Sequence, residues 1–296
     1  CEPQMHHLQN KDTIIEDPED IVNTLAETIA THSSLANCSD LFLSHKTRVE
    51  RNKLNFNSAN EEAYNSIFSL RELDSAIAEA RNTSPGPDDI PYQLLKELPS
   101  SSLQVLLDIF NYFWVNNKFP NCWREAMVIP IPKLGKDRSN DANYRPIALT
   151  SCFCKTMERM INKRLTWFLE YHNLINPIQS GFRQGRSTTD HLVRLETFIR
   201  DAFISKQHAV AIFFDLEKAY DTTWRYGIMK DLHDMGFRGN LPLFIENFLQ
   251  HRSFQIRVGT TVSQRYNQEI GVPQGSILSV TLFNVKINNI VKCLTQ

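Results

Sequence analysis

The sequence predicts an α+β fold, because helical and strand-like segments follow one another without the strict alternation of a doubly wound sheet. Apolar residues recur at helical spacing through most of the chain. Shorter apolar or alternating runs, rich in β-branched and aromatic residues, predict strands. At 296 residues, 42% of them hydrophobic, the chain can form one large domain or two ordinary ones.

Nine segments carry the periodicity of amphipathic helices. In chain order they span residues 17–29, 69–80, 90–98, 103–117, 155–172, 187–203, 226–235, 241–249 and 276–291. Two of them begin at capping signals, Ser69 with Glu72 and Ser187 with Asp190. The helix at 103–117 is predicted to bury five apolar side chains: Leu106, Leu107, Ile109, Phe110 and Phe113.

Four segments have the composition of strands. They span residues 123–131, 144–149, 209–214 and 254–258. The last of them is expected to turn at residues 259–261 into a hairpin that extends to Ile270. Residues 48–60 are predicted to be a linker, and the Pro- and Gly-rich residues 84–89 a turn.

The formal net charge is −1, but charge is unevenly distributed along the chain. Residues 1–122 hold 9 Lys and Arg against 18 Asp and Glu, whereas residues 123–200 hold 13 against 7. This excess of positive charge in the middle would suit a surface that binds phosphate. On charge alone, a solvated charged face is an equally good interpretation.

The six cysteines are scattered through the chain, which favours reduced thiols over a disulfide framework and argues against a metal role. No run of eighteen apolar residues could span a membrane, and the N-terminus lacks the pattern of a signal peptide. The first residues resemble the cut edge of a longer product. These features predict an intracellular protein, nuclear or cytoplasmic, that is not secreted.

The apolar run at residues 209–214 is predicted to place the carboxylate of Asp215 at the open edge of a sheet. Carboxylate oxygens are the hard ligands that Mg²⁺ prefers, and pairs of divalent cations commonly support phosphoryl transfer. An ordinary strand-terminal aspartate is the alternative. Tyr220 and Asp221 follow shortly, and a glycine-bearing segment begins at Gly271.

Five sequence motifs resemble, in order, those of reverse transcriptases, most closely those of non-LTR (LINE-like, jockey/CR1-type) retrotransposons. They lie at residues 85–90, 131–136 with 144–149, 179–188, 215–221 and 271–279. The last two resemble the first and second palm motifs. The resemblance implies a right-hand polymerase fold with fingers and an incomplete palm. Its implied domains are a connector or N-terminal leader (1–60), fingers (61–205) and a partial palm (206–296).

The resemblance also implies RNA-directed DNA polymerase activity with two Mg²⁺ ions. The implied partners are an RNA template, a DNA primer or target, and deoxynucleoside triphosphates. Asp215 would be the catalytic residue and would bind metal together with the Leu216 carbonyl. Tyr220 would exclude ribonucleotides, unless it only packs in the core. Gln274 and Gly275 would lie against the incoming nucleotide and the template base, or Gly275 would be a plain turn residue.

Five cations complete the set of residues implied by the resemblance. Arg145 would hold the triphosphate, or would form a surface ion pair instead. Lys133 or Lys136 would assist it. Arg183 and Arg186 would contact the template backbone, or would face solvent.

Two departures from the family pattern affect the expected activity. Val280 stands where the second palm motif usually has proline. The third palm motif, with its Asp-Asp pair, would begin shortly after Val291 and is not found before Gln296. We therefore expect these 296 residues not to polymerise by themselves. A non-catalytic RNA-binding module and the product of a decayed element are the alternative functions.

Overall fold

The computed structural model describes residues 7–10 and 13–290, in which the chain forms ten α-helices and seven β-strands. The helices are α1 (Pro18–His32), α2 (Asp40–Val49), α3 (Leu70–Ala78), α4 (Tyr92–Lys96), α5 (Ser100–Val115), α6 (Cys152–Tyr171), α7 (Thr188–Ile204), α8 (Arg225–Asp234), α9 (Asn240–Leu249) and α10 (Ile277–Ile287). The strands are β1 (Leu8–Asn10), β2 (Thr13–Ile15), β3 (Glu125–Pro132), β4 (Tyr144–Leu149), β5 (Arg252–Val258), β6 (Thr261–Val262) and β7 (Tyr266–Gln268). This mixture confirms the predicted α+β class.

A five-stranded mixed sheet has the strand order β4-β3-β5-β6, with β7 also paired with β5. Strand β3 runs antiparallel to β4, with Val128 opposite Ala148, and parallel to β5, with Val128 opposite Ile256. Strands β6 and β7 both return antiparallel to β5, which confirms the predicted hairpin. Strands β1 and β2 form a separate antiparallel pair.

Helix α1 packs against the mixed sheet. The side chain of Asp17 caps its N-terminus by accepting hydrogen bonds from the backbone N–H groups of Glu19 and Asp20. Its apolar stripe joins residues of β3, β4 and β5 in one buried cluster; the members from α1 are Ile21, Val22, Leu25, Ala26 and Ile29. Part of the leader at residues 1–60 therefore belongs to the core of the sheet, while the three-domain division itself stays a prediction.

A second and larger core lies among helices α3, α5, α6, α8, α9 and α10. Its largest fully buried aromatic side chains are Phe68, Tyr92, Phe110, Trp114, Phe237, Phe244 and Phe248. Helix α6 contacts both α3 and α10. Both predicted capping boxes are present, at Ser69 with Glu72 and at Ser187 with Asp190. Helix α6 thus packs against both α3 and α10 within this core.

The predicted strand at residues 209–214 is wrong. Residues 207–216 have no regular secondary structure, and Phe213 is 82% exposed. A strand needs a neighbouring strand to pair its backbone N–H and C=O groups. Among the described residues, no strand pairs with this segment. Its composition favoured a strand, but composition does not supply a partner.

Smaller differences have similar physical causes. Ile109 is 44% exposed rather than buried, because α5 buries the face that carries Leu106, Phe110 and Trp114. Helix α2 was not predicted; it buries none of its side chains and so has no apolar stripe to reveal it. The expected end of α10 at Val291 lies outside the described residues. None of the described helices is long and apolar enough to cross a membrane.

Candidate functional site

The loop between β7 and α10, called here the glycine loop (residues 269–276), is bonded to the end of the first palm-like motif. The N–H of Val272 donates to the carbonyl of Tyr220 at 2.8 Å, and the N–H of Gly271 donates to the carbonyl of Thr223 at 2.8 Å. Gly271 has a φ of +82°, and a Cβ there would collide with the backbone of that segment. Glycine is therefore required where the two backbones approach so closely.

The glycine loop also contacts β4. The N–H of Ala148 donates to the carbonyl of Gln274 at 2.8 Å. Gly275 has a φ of +124°, and a Cβ there would lie 2.5 Å from the carbonyl oxygen of Ala148. The loop therefore lies between β4, which carries Arg145, and residues 220–223. Parts of three sequence motifs, at residues 144–149, 215–221 and 271–279, are therefore in contact.

A cavity of about 30 Å³ lies beside Gln274. Its walls include Asp221 and, from the end of α1, Ile29 and Ser33. The cavity has room for only one or two water molecules. Burial raises the pKa of the Asp221 carboxyl to about 6, opposed by the smaller effect of the Lys218 charge. Asp221 therefore occupies a poorly hydrated position behind the loop, consistent with a supporting rather than a metal-binding role.

The ring of Tyr220 is held against α10. It stacks on Phe283, with ring centroids 5.2 Å apart and planes 27° apart. The side chain is half-buried, and burial raises the pKa of its phenol. Packing of this kind restricts the rotamer of Tyr220 and fixes its ring beside the glycine loop.

Asp215 and Leu216 lie on the unpaired segment and not at the end of a strand. Both side chains are exposed, Leu216 to 53%. The next residue, Glu217, forms an ion pair with Lys218 at 3.6 Å. The position predicted for Asp215 is therefore corrected, while its proposed catalytic role stays a prediction.

The predicted phosphate-binding cations lie along the β3–β4 hairpin. Arg145 is exposed on β4, and the Nζ of Lys133 donates to the carbonyl of Ala142 at 3.0 Å. Burial lowers the pKa of His32, the last residue of α1; the charges of Lys218 and Lys133 lower it further, and those of Asp141 and Glu217 oppose them.

Comparison with known protein families shows which family contains these segments. Residues 131–296 match the family described as reverse transcriptase (RNA-dependent DNA polymerase). The match covers more than half of the chain and includes β4, residues 220–223 and the glycine loop. The chain belongs to the reverse transcriptase family.

Curated reverse transcriptase relatives come from mobile elements. The chain is 34% identical over 221 residues to the RNA-directed DNA polymerase from mobile element jockey of Drosophila melanogaster, covering 74% of this chain and 24% of the relative. It is 34% identical over 202 residues to the probable RNA-directed DNA polymerase from transposon BS of the same species, covering 68% and 22%. The Pol polyprotein from type-1 retrotransposable element R2 of Popillia japonica is 27% identical over 223 residues, covering 74% and 30%. The chain thus spans about a quarter of the length of these relatives.

Reverse transcriptases generally use Mg²⁺. Asp215 and the Leu216 carbonyl are hard oxygen donors of the type that this ion prefers. Across residues 7–10 and 13–290, however, no group of three or more His, Cys, Asp or Glu side chains lies close enough to hold a metal ion. The described side chains therefore do not by themselves fit the two-metal site of a polymerase.

The two arginines predicted to touch the template have different surroundings. The guanidinium of Arg183 donates to both carboxylate oxygens of Glu170 and to the carbonyls of Asn176 and Gln179. These bonds fasten the loop between α6 and α7, so the group has an internal role in the fold. Arg186 is exposed on the same loop. Contact of either arginine with a template stays a prediction.

Two side chains that support the glycine loop were missed in the sequence. The Nε of Arg225 donates to the carbonyl of Gly271 at 2.7 Å, and burial lowers its pKa to about 9. Glu158, on α6, is fully buried and accepts hydrogen bonds from the start of α10. Its helical spacing from the buried residues Cys154 and Ile161 gave a usable signal: a carboxylate on an otherwise apolar face must have a partner inside.

Proposed function

We propose that this chain supplies nucleotide-binding and template-binding surfaces of an RNA-directed DNA polymerase of the non-LTR retrotransposon type. The observation that carries the proposal is the bonding of the glycine loop to both β4 and the first palm-like motif. One bond joins Ala148 to Gln274, and the other joins Val272 to Tyr220. The curated relatives named for jockey and BS support the same polymerase type.

In this proposal the incoming deoxynucleoside triphosphate lies along the exposed side of these segments. Arg145 binds the triphosphate, since its planar guanidinium suits phosphate oxygens, and Lys133 or Lys136 assists. Gln274 and Gly275 lie against the nucleotide, Gly275 through its exposed backbone. This surface would be the part of the polymerase that selects and orients the nucleotide.

The remaining roles concern the metal and the nucleic acids. Asp215 and the Leu216 carbonyl would contribute oxygen ligands toward Mg²⁺, the ion that supports phosphoryl transfer in polymerases, although the described side chains would not hold it by themselves. Arg186 would contact the backbone of the RNA template, with Arg183 shaping the loop that presents it. Residues 61–205 would act as fingers and residues 206–296 as part of a palm. The polymerase would work inside the cell, in the nucleus or the cytoplasm.

Nucleotide binding by the purified 296-residue chain tests the proposal. A titration with a fluorescent N-methylanthraniloyl-dGTP would report affinity for the wild-type chain, Arg145→Ala, and the control Arg71→Ala. Arg71 is exposed on α3, far along the chain from the proposed surface. Loss of a charge-assisted contact should weaken binding roughly tenfold or more for Arg145→Ala only. Equal affinities for the two variants, or no binding by the wild-type chain, would contradict the proposal.

The same titration examines Tyr220. Its ring, fixed by Phe283, would clash with the 2′-hydroxyl of a ribonucleotide. Competition with unlabelled GTP and dGTP should therefore give more nearly equal affinities for Tyr220→Ala than for the wild-type chain. An unchanged preference would assign Tyr220 to core packing alone.

A second candidate is a non-catalytic RNA-binding module. It is favoured by the excess of Lys and Arg in residues 123–200 and by the lack of a metal-binding group among residues 7–10 and 13–290. Such a module should bind single-stranded RNA with an affinity that falls steeply with salt and is unchanged in Asp215→Ala. Absence of RNA binding at low salt would remove this candidate.

A further inference from the structure

The carboxylate of Glu158 is fully buried and is bonded to the N-terminus of α10. Its Oε2 accepts hydrogen bonds from the hydroxyl of Ser276, from the N–H of Ile277 at 2.9 Å and from the N–H of Leu278 at 3.3 Å. Its Oε1 accepts a bond from the thiol of Cys154 at 3.2 Å. The side chain of one helix therefore caps another helix that lies more than a hundred residues away.

This bonding compensates the burial of the carboxylate. A buried carboxylate is unfavourable unless several donors surround it. The first backbone N–H groups of a helix have no partner within the helix, and the positive end of the helix dipole attracts an anion. Glu158 satisfies two of these N–H groups. No other side chain caps α10 in the described part of the chain.

Ile277 and Leu278, whose N–H groups donate to Glu158, directly follow the glycine loop in the chain. The N–H of Ser276 donates to the carbonyl of Pro273 at 3.2 Å and closes a turn around Gln274 and Gly275. One side of this turn is fixed to β4 through the bond from Ala148 to Gln274. Its other end is fixed to α6 through Glu158. The turn that presents Gln274 is therefore held on both sides, and Glu158 supplies the carboxylate that fixes its C-terminal end.

We propose that Glu158 is a positioning residue that sets nucleotide affinity by holding Gln274 in place. This inference rests on the proposed nucleotide-binding function of the glycine loop. Glu158 is buried and does not itself meet the nucleotide. Its effect is transmitted through Ser276 and the turn, so it depends on the presence of the Gln274 side chain.

The test is a double-mutant cycle on the full 296-residue chain, with N-methylanthraniloyl-dGTP as the probe. Glu158→Gln keeps the size of the side chain but removes its charge, and should weaken nucleotide binding about five- to tenfold. In a Gln274→Ala background the same substitution should change affinity by less than twofold. A merely structural role would weaken binding equally in both backgrounds.

The matched control is Glu72→Gln. Glu72 is also a helix-capping carboxylate, at the start of α3, with Arg164 as its ion-pair partner. It lies outside the proposed site, so Glu72→Gln should lower the unfolding midpoint and leave nucleotide affinity unchanged. If Glu158→Gln does not fold, Ser276→Ala removes one donor to the same carboxylate and is expected to show the same dependence on Gln274.

The possible outcomes separate the two proposals. No nucleotide binding by the wild-type chain overturns the proposed function and this inference with it. Binding by the wild-type chain, with an unchanged affinity or an additive loss in folded Glu158→Gln, overturns the positioning role alone. Loss of affinity that disappears in the Gln274→Ala background supports it.

Discussion

The substitution Gly275→Ala adds only one methyl group, but it should lower the free energy of unfolding by more than so small a change usually does. At a φ of +124°, a residue with a Cβ is strained by about 1–3 kcal/mol. The new Cβ would also lie 2.5 Å from the carbonyl oxygen of Ala148. That carbonyl cannot withdraw easily, because β4 is paired with β3 on both sides of Ala148, Ile147 with Ile129 and Leu149 with Met127. The two effects together predict a loss of at least about 3 kcal/mol, with displacement of the glycine loop.

Urea denaturation followed by circular dichroism measures this change, since the midpoint and slope give the free energy of unfolding. Gly181→Ala is the matched control: Gly181 has an ordinary φ, and no atom lies within 4 Å of the position that a new methyl group would occupy. Its substitution should change stability by less than about 1 kcal/mol, and could even stabilise by restricting the unfolded chain. Gly275→Ala and Gly181→Ala unfolding at the same urea concentration would refute the proposed contact between the glycine loop and β4.

Three further predictions concern residues around the site. Because burial raises the pKa of Asp221 to about 6, the folded chain binds a proton more tightly than the unfolded one, so stability should fall as pH rises from 4 to 6. Asp221→Asn should remove this dependence and raise the free energy of unfolding at pH 7 by about 3 kcal/mol, with little gain at pH 4; a gain of equal size at both values would contradict this. Arg183→Ala should lower stability by roughly 1–2 kcal/mol in urea melts, since it breaks the bonds to Glu170 and two carbonyls; an unchanged midpoint would mean that the guanidinium is free to bind template. Primer extension on an RNA template with Mg²⁺ should be undetectable for the 296-residue chain, because its described residues hold no group of three metal-binding side chains, and measurable extension would refute this.

Local signals in the sequence predicted most of the helices correctly. The box formed by Ser69 and Glu72 fixes the start of α3, because its two reciprocal hydrogen bonds depend on residues three positions apart. Strand β5 was evident from its alternation, which its burial pattern repeats. These features depend on near neighbours in the chain, and a single sequence contains them.

Features that depend on distant partners were harder to predict. Residues 209–214 have the composition of a buried strand, yet none of the described strands pairs with them and their apolar side chains stay exposed. Arg183 carries a charge that suits a template, but Glu170 engages it within the fold. The sequence also did not reveal that α1 would close one side of the glycine loop, since that contact joins segments over a hundred residues apart.

The candidate site was predictable to the extent that the family motifs are present. They pointed to the two palm-like motifs, which backbone hydrogen bonds join in the structure, while the roles of Tyr220 and Gln274 stay predictions. The motifs did not point to Glu158 or Arg225, because these two side chains support the glycine loop through buried hydrogen bonds and belong to no motif. A charged residue on an apolar helical face is a physical signal that needs no family knowledge.

Photochemical labelling with an azido-dATP, followed by peptide mapping, tests most directly whether these segments form one nucleotide-binding surface. Labelled peptides should come from residues 144–149, 218–223 and 269–276 together, and excess unlabelled dATP should abolish the labelling. Labels that fall elsewhere on the chain, or that persist under competition, would show that the segments meet only to build the fold.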